Sequence, residues 1–260
     1  MSAAEATSPD GWETAAVGAS GFRAAYARTS SAGKSNVGAP GWSRWVNRPL
    51  GRVFAAAAYR IGATPNQVTV VSTAVTLGAV VTIALVRPSW WSAAIVAVVL
   101  VLGYALDSAD GQLARLRGGG SLAGEWLDHV TDAVKNTGIH LAVLVCWFRF
   151  YDVPDGWLLV PVVFTLVASC FFFSVILSEQ LRKAQGKGSA RRTVATASGG
   201  APVLRSVLVL PADYGILCVS MVLLSATWAF VTVYTALLTC AVVFLLGGWR
   251  NWFHEMTSYS

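Results

Sequence analysis

The sequence contains few charged residues. Only 12% of its 260 residues are Asp, Glu, Lys or Arg, whereas about 25% is usual for a soluble domain. Four stretches contain none of these residues: 61–86, 88–106, 156–178 and 214–249. A transmembrane helix needs roughly 20 consecutive apolar residues. The scarcity of charge therefore argues against an ordinary soluble globular protein and predicts a protein that crosses a membrane several times.

Cysteine and histidine are scarce as well, with four and three residues in the chain. Each cysteine lies in an apolar segment, and no two of them form a Cys-x-x-Cys pair. We therefore expect small buried side chains rather than a disulfide framework or a metal site. The residues concerned are Cys146, Cys170, Cys218 and Cys240.

The positive charges are concentrated in alternate connections between the apolar stretches. Seven basic residues precede position 66 and six lie between residues 182 and 205, whereas Arg87 and Arg149 stand nearly alone in the opposite connections. Loops rich in Lys and Arg stay on the cytoplasmic side of a membrane. Topology therefore explains the net charge of +6. We predict no nucleic-acid partner and a multi-pass cell-membrane protein with both termini in the cytoplasm.

The apolar stretches predict an all-α integral membrane protein with six transmembrane helices. An N-terminal amphipathic interfacial helix is expected before them, because WSRWVNRPLGRVFAAAAYR mixes arginines with large apolar residues. A polar lead-in without structure is the alternative. The predicted spans are 66–86, 89–115, 121–149, 156–182, 203–224 and 227–248. The predicted segments are a flexible N-terminal part (1–40) without a signal peptide, the amphipathic juxtamembrane helix (41–62), the six-helix domain (63–250) and a C-terminal tail (251–260).

Four aspartates lie where the second and third predicted spans meet the cytoplasmic boundary. Asp107 and Asp110 are near the end of one span, and Asp128 and Asp132 are in the first turns of the next. The spacings, i to i+3 and i to i+4, place each pair on one helix face. The glycines at 118–120 predict a tight turn between the spans. The two pairs are therefore expected to face each other across a helical hairpin.

Four unpaired carboxylates at this place would be costly, and a hard divalent cation would relieve their repulsion. The lack of a His or Cys ligand on these faces favours Mg²⁺ or Mn²⁺ over zinc. Small residues share the faces, at Gly111, Ala114 and Gly124. They either leave room for a ligand or allow the helices to pack closely. Arg115 either pairs with a phosphate or extends to the membrane interface.

Taken together, the residues follow the pattern D-x2-D-G-x2-A-R-x8-G-x3-D-x3-D. This pattern closely resembles the signature of the CDP-alcohol phosphotransferase family of integral membrane enzymes. The resemblance covers roughly residues 42–250. It implies a transferase that moves a substituted phosphate group from a CDP-linked alcohol to the hydroxyl of an acceptor alcohol and releases CMP. It also implies two divalent cations, a homodimer and contact with membrane lipids.

The resemblance assigns roles to individual residues. Asp132 would be the catalytic base that takes the proton from the acceptor hydroxyl, next to the bound cations. Metal ligands would come from the four aspartates, chiefly Asp107, Asp110 and Asp128, with Asp132 beside them. The nucleotide would be bound by Asp107, Gly111, Ala114, Arg115 and Gly124. The chemistry is consistent, because a positioned carboxylate can accept a proton from an alcohol in the transition state.

The acceptor site is less well defined by the sequence. Candidate acceptor-binding residues are Lys135, Arg191, Arg192, Arg205 and Asp213. Lys135 either binds an acceptor phosphate or neutralises Asp132, and the ion pair is slightly favoured. The donor is either CDP-diacylglycerol or a CDP-linked polar alcohol, in phospholipid or phosphodiester biosynthesis. One alternative is an inositol-phosphate-type transferase that uses CDP-inositol with a soluble acceptor. An alternative of another class is a cation transporter that binds its ion through the carboxylates.

Overall fold

The computed structural model describes residues 22–31, 41–186 and 213–258, which form helices and no strands. The α-helices are α1 (Phe22–Ser31), α2 (Arg48–Arg60), α3 (Pro65–Leu85), α4 (Trp90–Leu116), α5 (Leu122–Phe150), α6 (Leu159–Ala184), α7 (Tyr214–Ser220) and α8 (Thr227–Thr257). Three short helical segments adjoin them: a π-helical turn (Ser43–Asn47) before α2, and 3-10 turns before α6 (Asp155–Leu158) and after α7 (Met221–Ser225). The predicted all-α class is confirmed for these residues.

Among the described residues, four helical segments are long and apolar enough to cross a membrane: Pro65–Leu85, Trp90–Leu116, Asp155–Ala184 and Thr227–Thr257. They match four of the predicted spans, and the chain is therefore a membrane protein. The third predicted span is α5, which carries charged side chains in its first half. Of the fifth predicted span, the structure describes the apolar helix over Tyr214–Ser225, and residues 203–212 lie outside the described part.

Polar side chains cap the starts of α3 and α4. At α3, Thr64 Oγ1 accepts a hydrogen bond from Gln67 N (3.2 Å), and Gln67 Oε1 accepts one from Thr64 N (2.9 Å). This capping box is followed by Pro65 at the first helical position, where its missing N–H costs nothing. Ser89 and Ser92 form the same arrangement at α4. The polar sequence TPNQVT (64–69) thus begins α3.

The turn between α4 and α5 depends on glycine. Gly118 and Gly119 have φ values of +98° and +144°, a region that side-chain-bearing residues rarely adopt. Ser121 then caps α5 by accepting from Gly124 N at 3.0 Å. The short turn makes α4 and α5 an antiparallel hairpin, and it brings their acidic faces to the same end of the bundle.

Two apolar clusters hold the helices together. The larger joins α3–α8 and includes the fully buried side chains of Leu100, Ile139, Trp147, Phe230 and Tyr234. The smaller lies under α2 and consists of Ala55, Ala58, Val68, Ala109 and Leu113. It fixes α2 across α4 and the start of α3. The predicted amphipathic segment is thus helical and packed against the bundle.

Candidate active site

Three aspartates form a compact carboxylate cluster where α4 and α5 face each other. Oxygens of Asp107, Asp110 and Asp128 all lie within 4.8 Å of one another. Asp110 is 6% exposed, and the other two are half-buried. Carboxylate oxygens at such a spacing suit a hard divalent cation, which binds oxygen ligands. The donor set therefore fits the predicted kind of metal site.

Hydroxyl groups of α3 lie against two of these carboxylates. Thr69 Oγ1 donates to Asp110 Oδ2 at 2.6 Å. Ser72 Oγ lies 3.2 Å from the carbonyl oxygen of Gly103 and 3.4 Å from Asp107 Oδ1. Both hydroxyl side chains are buried. Partners that orient metal-binding carboxylates are often nearly as important as the ligands themselves. Sequence reasoning missed them, although Thr69 and Ser72 are three residues apart on one face of α3.

Lys135 connects Asp132 to the cluster. Its Nζ forms ion pairs with Asp107 Oδ1 and with Asp132 Oδ1, the latter at 2.7 Å. Lys135 is 5% exposed, so the ammonium is held almost entirely by these two carboxylates. The structure therefore contains the ion pair with Asp132 that the sequence favoured, and it adds Asp107 from the neighbouring helix. Asp132 itself is not part of the compact three-aspartate group.

A polar cavity of about 240 Å³ adjoins the carboxylate cluster. We call it the polar cavity. The predicted residues on its wall are Asp107, Asp110, Gly111, Arg115 and Asp128. The wall also contains residues that sequence reasoning did not select, namely Ser43, Asn47, Arg48, Arg52, Tyr104, Ser108 and Gln112. The cavity therefore lies between the carboxylate hairpin and the segment that contains α2.

The small residues of the motif have different surroundings. A Cβ atom on Gly111 would have only Arg115 Nη1 near it, at 3.4 Å, so Gly111 leaves space at the cavity wall. A Cβ atom on Gly124 would lie 3.0 Å from Asn66 Oδ1. Gly124 therefore allows a close contact between α5 and the start of α3. Neither Gly124 nor Ala114 is on the wall of the polar cavity.

A second cavity, of about 170 Å³, lies next to the first, and we call it the middle cavity. It is lined by Thr76, Gly103, Tyr104, Asp107, Asp132, Lys135, Asn136, Phe172 and Tyr214. Asp107 and Tyr104 are on the walls of both the polar and the middle cavity. Asp132 is on the wall of the middle cavity alone. The two cavities thus meet at Asp107, with metal-type ligands on one side and Asp132 on the other.

A third cavity, of about 260 Å³, is mostly apolar. This apolar cavity shares Asn136, Phe172 and Tyr214 with the middle cavity. Most of its wall comes from aliphatic and aromatic side chains of α6, α7 and α8, among them Phe164, Val167, Leu217, Leu237 and Phe244. The three cavities follow one another from polar to apolar surroundings.

Of the remaining predicted residues, one makes hydrogen bonds that stabilise the fold and three lie outside the described residues. Asp213 caps α7 by accepting from Gly215 N (3.0 Å), and it also accepts from Ser43 N (3.0 Å). It therefore ties α7 to the π-helical turn, and it reaches the wall of the apolar cavity. Arg191, Arg192 and Arg205 lie outside the described residues, so their acceptor role stays a prediction.

These features define a class of protein: a helical membrane protein with an oxygen-only metal-type site next to a polar cavity. Comparison with known proteins specifies the class. The profile of the CDP-alcohol phosphatidyltransferase family matches residues 63–247. Because this match covers most of the chain, the protein belongs to the CDP-alcohol phosphatidyltransferase family. The resemblance inferred from the aspartate motif is thereby confirmed.

Two similar proteins carry the same description. A phosphatidylinositol phosphate synthase of Mycolicibacterium smegmatis is 33% identical over 140 residues, which cover 54% of this chain and 58% of that protein. The match thus spans little more than half of the relative's length. The crystal structure of the Mycobacterium tuberculosis phosphatidylinositol phosphate synthase with CDP-DAG bound has a TM-score of 0.54 and 17% identity. It covers 80% of this chain and 94% of that one, and it shows the same fold.

Proposed function

We propose that the protein is a phospholipid-synthesising transferase that uses CDP-diacylglycerol as donor. It transfers the phosphatidyl group to the hydroxyl of a small polar or phosphorylated alcohol and releases CMP. The observation that carries the proposal is the position of Asp107. This residue belongs to the carboxylate cluster of the polar cavity and also contacts, through Lys135, the Asp132 carboxylate of the middle cavity.

The two cavities suit the two substrates. The donor nucleotide binds in the polar cavity, where Gly111 leaves space and Arg115 supplies a cation. The acceptor binds in the middle cavity, where its hydroxyl meets Asp132. Asp132 accepts the hydroxyl proton as the oxygen attacks the donor phosphorus. Asp107 lies at the boundary, so the donor phosphorus and the acceptor hydroxyl meet beside this residue.

Two divalent cations, Mg²⁺ or Mn²⁺, are bound by Asp107, Asp110 and Asp128, with Asp132 beside them. When bound, they stabilise charge on the phosphoryl group and on the leaving CMP. The chain's own contribution is positioning. Thr69 holds the carboxylate of Asp110, and Lys135 holds those of Asp107 and Asp132.

A lipid donor is favoured over CDP-inositol by two observations. The apolar cavity continues from the middle cavity into the membrane-embedded part of the bundle, which suits an acyl chain. The structural neighbour is described as having CDP-DAG bound. Both similar proteins are described as phosphatidylinositol phosphate synthases, so a phosphorylated polyol is the acceptor to test first. Lys135, Asp213 and the basic stretch from 182 to 205 remain candidates for binding it.

The proposal includes a topology of six spans, with α5 and the α7 segment as the two that are less apolar. The active site lies at the cytoplasmic boundary, both termini are cytoplasmic, and α2 lies at the inner interface. The basic connections support this orientation, since seven Lys and Arg residues precede position 66 and six lie between 182 and 205. Exposed tryptophans at the starts of α4 and α8, Trp90, Trp91 and Trp228, suit an interface at the other end of the bundle. Tryptophan is enriched at membrane interfaces. By family resemblance we also propose a homodimer.

The test is release of CMP by the purified full chain. CDP-diacylglycerol is supplied with inositol phosphate, glycerol phosphate or serine, and CDP-inositol with a soluble acceptor, each with Mg²⁺ or Mn²⁺. We expect CMP only with the lipid donor. CMP only from CDP-inositol would favour the alternative transferase. Metal-dependent ion flux in vesicles without CMP from any pair would favour the transporter.

The role of Asp132 has its own prediction. Asp132→Asn should still bind metal and CDP-diacylglycerol, yet turn over about 10²–10⁴-fold more slowly, because the amide cannot accept the proton. The matched control is Asp155→Asn, which changes an exposed aspartate at the start of the 3-10 turn before α6. Near-normal turnover of the Asp132 variant would rule this residue out as the base.

A further inference from the structure

Helix α2 presents two arginines to the polar cavity. Arg48 and Arg52 line it together with the three clustered aspartates. They are four residues apart, a spacing that places side chains on the same helix face. Both are half-buried. Arginines of an interfacial helix are expected to face lipid headgroups, whereas these two face the carboxylate site.

The backbone that carries these arginines is fixed to the same framework as the aspartates. Gln112 Nε2 of α4 donates to the carbonyl oxygen of Arg48 at 3.2 Å. At Gly51, between the arginines, an added Cβ would lie 2.7 Å from Gln112 Nε2 and 2.9 Å from Ser108 Oγ. No side chain fits there without displacement. The two helices therefore touch beside the cavity, and the arginine stems start from a defined position.

The charges around the arginines suit an anion. Burial lowers the pKa of the Arg48 guanidinium most. Tyr104 opposes this shift, and the like charges of Arg52 and Arg44 add to it. Within the described ranges, no carboxylate lies at ion-pair distance from Arg52. An anion between Arg48 and Arg52 would relieve this repulsion. Guanidinium groups form paired hydrogen bonds with phosphate oxygens.

We propose that Arg48 and Arg52 bind the pyrophosphate of the nucleotide-linked donor, so that α2 forms a wall of the active site. The identity of the anion rests on the proposed function. Cations held by the aspartates would contact phosphate oxygens from the side of α4 and α5. The arginines supply donors from the α2 side of the same cavity. A phosphate bound between them would be held from both sides.

The test compares two ligands that differ in their phosphates. The purified full chain is titrated with CDP and with cytidine in the presence of Mg²⁺. Arg52→Gln should weaken CDP binding by about tenfold or more, since a charge-assisted hydrogen bond is lost, and leave cytidine binding unchanged. Arg52→Lys keeps the charge but loses the paired hydrogen bonds of the guanidinium, so its CDP affinity should lie between those of the wild type and Arg52→Gln. Arg60→Gln is the matched control, since Arg60 is exposed on the same helix and should leave both affinities unchanged.

Three outcomes would overturn the proposal. CDP affinity could be unaffected in Arg52→Gln and Arg48→Gln, or CDP and cytidine affinity could fall equally. Alternatively, only stabilisation by phosphatidylglycerol vesicles could be lost, which would assign the arginines to lipid headgroups. The proposed function fails separately. If the wild-type chain makes no CMP but its CDP binding depends on Arg52, the phosphate site stands and the proposed transferase function is wrong.

Discussion

Replacement of Lys135 tests the charge balance of the site most directly. The ammonium lies between Asp107 and Asp132, and it is 5% exposed. Lys135→Met keeps most of the side chain's length but removes its charge, which leaves two carboxylates facing each other. Removal of one partner of a buried ion pair costs about 3–5 kcal/mol. The carboxylates have side-chain exposures of 20% and 29%, so we expect the lower end, about 3 kcal/mol.

The assay is thermal unfolding of the full chain in detergent with a chelator present. For a protein of this size, 1 kcal/mol shifts the Tm by about 2–4 °C, so Lys135→Met should melt about 6–12 °C below the wild type. Lys183→Met is the matched control. Its ammonium pairs with Glu125 but is 42% exposed, and exposed pairs contribute at most about 1 kcal/mol. Its Tm should change by no more than about 4 °C.

The response to divalent metal distinguishes the loss of the ion pairs from a general packing defect. Mg²⁺ bound near Asp107 can supply positive charge that the variant lacks. The Tm increase on adding Mg²⁺ should therefore be larger for Lys135→Met than for the wild type. Equal increases, or a variant that melts with the wild type in chelator, would refute the view that Lys135 holds the two carboxylates together.

Two further substitutions test the contacts that support the site. Thr69→Val removes the hydrogen bond to Asp110 and should weaken metal binding, measured by calorimetry, by about 10–100-fold. Its control is Thr73→Val, because the Thr73 hydroxyl donates to the carbonyl oxygen of Thr69 in the same helix, and this variant should bind metal like the wild type. Equal metal affinities of the two variants would contradict the assigned role of Thr69. Gly51→Leu forces α2 away from α4 and should lower the free energy of unfolding by about 1–3 kcal/mol and reduce CDP affinity as well. Gly78→Leu, at a position without neighbours within 4 Å, is its control. An unaffected Gly51 variant would show that the contact between the helices is not tight.

The sequence predicted the carboxylate hairpin because local rules determine it. Helical spacing places Asp107 with Asp110 and Asp128 with Asp132, and the glycine turn brings the two faces together. These rules say nothing about which third helix packs across the hairpin. Hydroxyl groups of Thr69 and Ser72 were therefore missed, since serine and threonine in an apolar span are as often bonded to their own helix.

The arginines of α2 show the same limit from another side. An amphipathic segment predicts a helix, but its rotation about its own axis is set by packing. Gly51 and the alanines Ala55 and Ala58 are the surface that α2 buries against α4 and its neighbours. Small residues give a weak periodic signal, whereas the arginines give a strong one. The sequence alone therefore predicts arginines that face lipid headgroups. Only the three-dimensional packing shows that Arg48 and Arg52 face the aspartates.

The succession of cavities has a consequence for how the products leave. Tyr104 and Asp107 separate the polar from the middle cavity, and Asn136, Phe172 and Tyr214 separate the middle from the apolar one. If the proposed function holds, CMP forms at the water-facing end and the new phospholipid at the lipid-facing end. The nucleotide can then diffuse into the cytosol while the lipid moves sideways into the bilayer. Neither product has to pass the other, so turnover needs no large separation of the helices.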